Sequence, residues 1–142
     1  MTGSSQSHST HKAPAPVGAY PHARQAGNFL FISGMGPRKR DYSGIPGVTF
    51  DENGNVKDYD IKEQCRSVFE NIGYILEDSG SSWENLVDVT VFLTNIEEDF
   101  QAFNEVWKEH FPNGPPARTT VEVNALPTPI AIELKCVALI NQ

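Results

Sequence analysis

Between Asp60 and Ser79-Gly80, apolar residues recur at helical spacing along one side only: Ile61, Cys65, Val68, Phe69, Ile72, Ile75 and Leu76. A helix with a single apolar stripe has one face to bury and one to leave in water. A second stretch repeats the pattern, with Phe100, Phe103, Val106, Trp107, His110 and Phe111 along one side. Two one-sided helices in a chain otherwise made of short strands predict two layers, with both helices on one face of a single sheet. The helix limits are written locally. Asp60-x-x-Glu63 and Thr94-x-x-Glu97 are capping-box signals, Ser79-Gly80 stops the first helix, and Pro112-Asn113-Gly114-Pro115-Pro116 breaks the second.

The strands are read from alternation and turn signals. Ala23 to Gly27 closes at Gly27-Asn28, and Phe29-Leu30-Phe31-Ile32-Ser33 is dense enough for a buried strand ending at Gly34-Met35-Gly36-Pro37. A loop rich in Gly, Pro and Asp runs from Arg38 to Asp58, with a hairpin-type signal at Asn53-Gly54. In Leu86 to Leu93, Val87, Val89, Val91 and Leu93 point one way and Asp88, Thr90 and Phe92 the other. Arg118 to Val123 and Ile130 to Ile140 complete a β-β-α-β-α-β-β order, an α+β domain with a mostly antiparallel sheet. The face left bare by the helices is expected to carry Phe92, Val137 and Leu139 beside Arg118 and Glu133. An apolar patch of that kind points to an oligomer.

Composition narrows the function. The 142 residues suffice for one core, and a net charge of −7 disfavours nucleic acid and anionic membrane as partners. No run of 18 apolar residues is present, so no membrane span is expected. Cys65 and Cys136 stand apart at periodic apolar positions, without zinc-ligand spacing, and read as small buried hydrophobes. Residues 1–14, rich in Ser, Thr, His and Pro, read as a disordered tail in which His8 and His11 are solvated, leaving a domain over 15–142. That tail has no apolar core of a secretory signal, so a cytoplasmic protein is the expectation. No nucleotide-binding, serine-hydrolase or zinc-protease motif occurs.

Several residues could carry chemistry. Arg118 stands at the start of a strand behind a stiff Pro115-Pro116 loop. Its planar fork suits a carboxylate, and the competing role is an ion pair with Glu122 or Asp88. Glu133 interrupts an apolar run. It is either a carboxyl of raised pKa fit for acid–base work or the partner of Lys135 or Arg118. His22, after Tyr20-Pro21, could orient a substrate or lie on the surface. Arg38-Lys39-Arg40 is a solvated cluster or a second anion contact, and His110 is read as a packed helix histidine.

Pro16-Val17-Gly18-Ala19-Tyr20, Phe31-Ile32-Ser33-Gly34, Pro116 through Val123, and Ala125-Leu126-Pro127 through Ile132-Glu133 resemble, in order and spacing, the Rid (YjgF-like) superfamily of reactive-intermediate deaminases. The resemblance runs from about Ala15 to the C-terminus. It implies a chorismate-mutase-like fold, a homotrimer, with pairing of trimers into a hexamer left open, and active sites in clefts between subunits. It also implies that Arg118 holds the substrate carboxylate beside an imine, that Glu133 positions or activates water, and that Tyr20 and Gly34 line the pocket. ISGMGPRKR, IPGV and YDIKEQCRSVFENI resemble the branch of 2-aminomuconate deaminases, which form 4-oxalocrotonate and ammonia in aromatic-compound or kynurenine catabolism. That chemistry requires neither a metal nor an organic cofactor. Its substrate is a dicarboxylate, whose second carboxylate is expected to meet Arg38, Lys39, Arg40 or His22. The alternatives are a general 2-imino-acid deaminase and a non-catalytic keto-acid-binding trimer. An RNA-cleaving role is disfavoured by the acidic charge.

Overall fold

The computed structural model describes residues 5–41 and 44–141. The strands are β1 (Ser5–His8), β2 (Ala23–Ala26), β3 (Phe29–Met35), β4 (Val48–Phe50), β5 (Val56–Tyr59), β6 (Leu86–Leu93), β7 (Ala117–Glu122) and β8 (Ile132–Leu139). The helices are α1 (Ile61–Asp78), between β5 and β6, and α2 (Ile96–His110), between β6 and β7. Six strands form one sheet in the order β1-β2-β3-β8-β6-β7, and β4-β5 is a separate hairpin. Within the main sheet, among the described residues, only β6-β7 is parallel. That follows from connectivity, because α2 carries the chain back over the sheet as a crossover.

Both helices pack on one face, as their stripes require. Cys65, Val68, Ile72, Ile75 and Leu76 of α1 and Phe103 and Val106 of α2 are sealed against Leu30, Ile32, Val89, Val91, Leu134 and Cys136 of the sheet. The α1 cap is the expected one: Asp60 Oδ1 accepts from the N–H groups of Lys62 and Glu63 at 2.9 and 3.2 Å. For α2 the cap lies one residue later than the Thr94 signal. Asn95 accepts from the Glu98 N–H, while the Thr94 N–H is held by the Ala131 carbonyl.

Four expectations need correction. The first concerns the tail. Residues 5–14 are ordered, with β1 paired to β2 and both Thr10 and Ala13 buried; residues 1–4 lie outside the described residues. His8 bonds Gln25, and Arg24 donates to the hydroxyls of Ser5 and Ser7. Strand addition uses main-chain hydrogen bonds, which side-chain hydropathy does not report. Second, β3 does not end at Ser33. It bulges between Ile32 and Met35 and continues, and Phe29 and Phe31 stand exposed rather than buried. Third, the long loop contains the β4-β5 hairpin, turned at Asn53-Gly54 with Gly54 at φ 81°. Its short, mostly exposed strands leave no alternation to read.

The fourth correction bears on function. Arg118 pairs in register with Val89, whose side chain faces the helices, whereas Glu133 pairs with Phe92 on the bare face. Residues in register project to the same side of a sheet. Arg118 therefore faces α2, and Glu133 faces away from it. The bare face carries Phe29, Phe31, Val121 and Leu139, each more than a third exposed. On β7 Arg118, Thr120 and Glu122 point toward the helix side, and Thr119 and Val121 toward the bare side. A bulge between Leu86 and Asp88 likewise takes Val87 out of the buried row, leaving it exposed.

Candidate active site

Glu133 is held where β8 runs beside the bulge of β3. The bulge brings Gly34 under the carboxylate so closely that a Cβ at position 34 would stand 2.8 Å from Glu133 Oε2 and 3.0 Å from its Cδ. Only a glycine allows this approach. Among the described residues Glu133 forms no ion pair, with Lys135 or any other cation. It is half-buried, and that burial alone pushes its pKa above the ordinary carboxylate range. An unpaired carboxyl tuned upward holds a proton more readily than an ordinary carboxylate, which suits it to acid–base work.

Around it lies a small cleft. Its walls are the segment Pro14–Val17 with Tyr20 and His22, the end of β3 from Ser33 to Met35 with Gly36 and Arg38, and the turn Pro127, Thr128 and Ile130 that leads into β8. Of the residues singled out in the sequence, the structure brings together Glu133, Gly34, Tyr20, His22 and Arg38. Lys39 and Arg40 line a different groove against α1, beside Glu63, Arg66 and Glu70.

His22 has a different role from the one expected. It is buried, its Nδ1 accepts from the Thr10 N–H at 3.1 Å, and its Nε2–H donates to the Pro14 carbonyl at 2.7 Å. Both ring nitrogens are thus committed to backbone, and the ring pins the segment that forms one wall. Ser33 does the same from β3, donating its hydroxyl to the Pro21 carbonyl at 2.8 Å.

Arg118 lies outside this cleft. Along β6 its register level and that of Glu133 differ by three residues, or about 10 Å, and the two strands are a further ~10 Å apart across the sheet. Its guanidinium stands over aromatic rings of α2, 4.9 Å from the Trp107 centroid, 5.1 Å from Phe103 and 5.7 Å from Phe100. Burial among these rings lowers its pKa from the usual arginine value. The expected ion-pair alternatives do not form among the described residues. Glu122 instead accepts from the Ile96 N–H at the start of α2, and Asp88 forms no ion pair with Arg118. The guanidinium is oriented by π faces and not neutralised by a carboxylate. His110 is packed as expected, with Nδ1–H on the Val106 carbonyl and its ring edge on Phe69.

Two polar residues of α1 escaped the sequence reading. Gln64 and Asn71 are buried within a helix face that should be apolar. Gln64 Oε1 accepts from the Ala131 N–H at 2.8 Å, and Asn71 Nδ2 donates to the carbonyls of Gly36 and Arg38, each at 3.0 Å. They fasten both loops that flank the cleft to one helix. Their signal was legible: two amides seven residues apart stand on the same helix side as the stripe.

A family profile described as Endoribonuclease L-PSP matches residues 10–140. A RutC family protein of Pyrococcus abyssi is 41% identical over 129 residues, covering 91% of this chain and 92% of its own length. Reactive Intermediate Deaminase A of Arabidopsis thaliana, a chloroplastic protein, is 36% identical over 130 residues, 92% of this chain and 63% of its own. The crystal structure of E. coli TdcF with bound serine matches with a TM-score of 0.82 at 28% identity, covering 96% of this chain and 99% of that one. With a family match over residues 10–140 and a RutC relative 41% identical across 92% of its own length, this chain belongs to the L-PSP family, the Rid/YjgF superfamily that includes the RutC proteins.

Proposed function

We propose that this chain is a cofactor-independent imine and enamine deaminase whose substrate is 2-aminomuconate. The observation that carries the reading is Glu133: an unpaired carboxyl, raised in pKa by burial, seated over Gly34 in a small cleft. The relative named as a reactive-intermediate deaminase supports the reaction class, and the serine bound to TdcF supports a small carboxylated amine as the kind of ligand. The branch-like segments ISGMGPRKR and YDIKEQCRSVFENI support the particular substrate.

The reaction follows from the side chains. The enamine tautomerises to a 2-imine, and water adds to the imine carbon while Glu133 takes its proton. Glu133 passes that proton to the nitrogen, giving a neutral carbinolamine; on collapse it relays the hydroxyl proton to the same nitrogen as the C–N bond breaks. A carbonyl and ammonia remain. Arg118 grips the carboxylate beside the imine and favours the charge that develops there. Because Arg118 and Glu133 face opposite sides of one sheet, that division of labour requires Arg118 from a second copy. The exposed Phe29, Phe31, Val121 and Leu139 support an assembly that covers the bare face, and a homotrimer is the assembly proposed.

The test is ammonia release from enzymatically generated 2-aminomuconate, followed spectrophotometrically, with Arg118→Ala and Glu133→Gln beside the wild type. Turnover abolished in both variants is expected. Turnover of imines from simple amino acids, with none of 2-aminomuconate, assigns the chain instead to general 2-imino-acid deamination.

A further inference from the structure

The chain contains two Asn-Gly pairs, both in exposed turns, and their main chains are held differently. Asparagine loses its side-chain amide most readily before glycine, where no Cβ hinders attack by the next main-chain nitrogen on the amide carbon. Both Gly54 and Gly114 stand in open space, with nothing within 4 Å of where a Cβ would lie, so access does not separate the two sites. Hydrogen bonding does. At Asn53-Gly54, three successive N–H groups are bound by Asp51. Its Oδ1 accepts from Asn53 at 2.8 Å and from Asn55 at 3.0 Å, and its carbonyl accepts from Gly54 at 3.0 Å. The attacking nitrogen of that pair is engaged and its turn is closed. At Asn113-Gly114, between α2 and β7, neither N–H makes a hydrogen bond of normal geometry among the described residues, nor does the Asn113 amide. Pro112, Pro115 and Pro116 have no N–H to give.

We infer that Asn113 is a site of spontaneous deamidation, which alters the loop that feeds Arg118 into β7. The Gly114 nitrogen gives its proton to water and bonds to Asn113 Cγ. The C–N bond of the side-chain amide breaks, and ammonia leaves with a proton from the water. The cyclic imide then takes up one water, which opens it at either carbonyl and leaves aspartate or isoaspartate at position 113. Both products place a carboxylate just beyond the C-terminal end of α2, where the helix dipole disfavours negative charge, and on a groove that Glu84 also lines. Isoaspartate also routes the main chain through the side-chain carbons, lengthening it shortly before Ala117 and Arg118. The consequence for turnover rests on the reading of Arg118 given above; the modification itself does not.

The test is a timed incubation of the wild type, Asn113→Gln and Asn53→Gln at mildly alkaline pH. Peptide mapping by mass spectrometry then reads the conversion of amide to acid at each site, and an isoaspartyl methyltransferase labels the isoaspartate. In the folded wild type, Asn113 is expected to convert about tenfold faster than Asn53, the factor that one protecting hydrogen bond supplies. Asn113→Gln should lose most of the total conversion and Asn53→Gln little of it. In urea, where the Asp51 bonds are gone, the two rates should converge. Equal rates in the folded protein, or faster conversion at Asn53, overturn the inference. So does a preference for Asn113 that persists unchanged in urea, since the fold would then not be its cause. The incubated wild type should show a KM for 2-aminomuconate raised about two- to fivefold, with Asn113→Gln unchanged. Conversion at Asn113 with no change in KM overturns the effect on Arg118. Failure of fresh protein to release ammonia from 2-aminomuconate sinks the proposed reaction and leaves the peptide map standing.

Discussion

Glu133 rests on Gly34, its Oε2 2.8 Å from where any other residue at that position would place a Cβ. The β3 bulge, the glycine and the carboxylate form one device. The bulge lowers the backbone, the absent side chain makes room, and the carboxyl reaches the cleft floor.

Gly34→Ala is therefore expected to inactivate without unfolding. Gly34 is not among the residues of positive φ, so alanine meets no backbone strain there. The collision is with the far end of a flexible side chain, which can swing away. Melting temperature should change by an amount worth less than about 1 kcal/mol. Turnover should fall about 100-fold, because the base has left its position. A fully active Gly34→Ala protein would show that the carboxylate's seat is irrelevant.

The pH dependence of Glu133 has a defined sign. Its folded pKa is raised, so the proton is held more tightly in the folded than in the unfolded chain. Folding stability therefore falls as pH rises from the unfolded value of about 4.5 through the folded one, and is recovered on acidification. Glu133→Gln should remove that fall and be the more stable protein at pH 7, with the difference vanishing below about pH 4. The acid limb of the pH–kcat profile of the wild type should lie above the ordinary carboxylate range, because the base must be ionised to act. Thermal melts from pH 4 to 8 and a kcat profile over the same range check both.

Arg118 and Glu133 should complement each other in trans. Arg118→Ala and Glu133→Gln proteins, each inactive alone, are unfolded together and refolded into mixed assemblies. If every site takes its arginine from one copy and its carboxyl from another, random mixing rebuilds about a quarter of the sites. Ammonia release near that fraction of wild type is expected. Activity that stays at the level of the separate variants would mean both residues are needed from the same copy.

Phe100 offers a lighter perturbation of the arginine. It is 39% exposed, and its ring lies 5.7 Å from the Arg118 guanidinium carbon. Phe100→Ala removes one wall of the aromatic box, a loss of about 0.5–1 kcal/mol in guanidinium positioning. KM should rise about two- to fivefold with kcat nearly unchanged, and Phe100→Tyr should restore it. A fall in kcat at constant KM would place Phe100 in the chemical step instead.

What the sequence by itself determined was everything carried by local periodicity and local hydrogen bonding. The stripe of α1, that of α2 from Phe103 onward, the Asp60 cap, the alternation of β8 and the turns at Gly27-Asn28 and Asn53-Gly54 all formed as read, while Phe100 stands exposed. The unusual setting of Glu133 was legible too, because a carboxyl inside an apolar strand is costly wherever the strand packs. Tertiary structure alone decided which side of the sheet each residue serves. Alternation divides β7 into two faces but names neither, and pairing with Val89 turned Arg118 toward α2. It also decided the fate of residues 5–14, whose order comes from main-chain bonds to β2 and from the two nitrogens of His22. In the same way Gln64 and Asn71, which break the apolar stripe when read along the chain, became the fastenings of the cleft. A polar group is buried at low cost only when its partners arrive from elsewhere in the fold, and those partners lie 33 to 67 residues away.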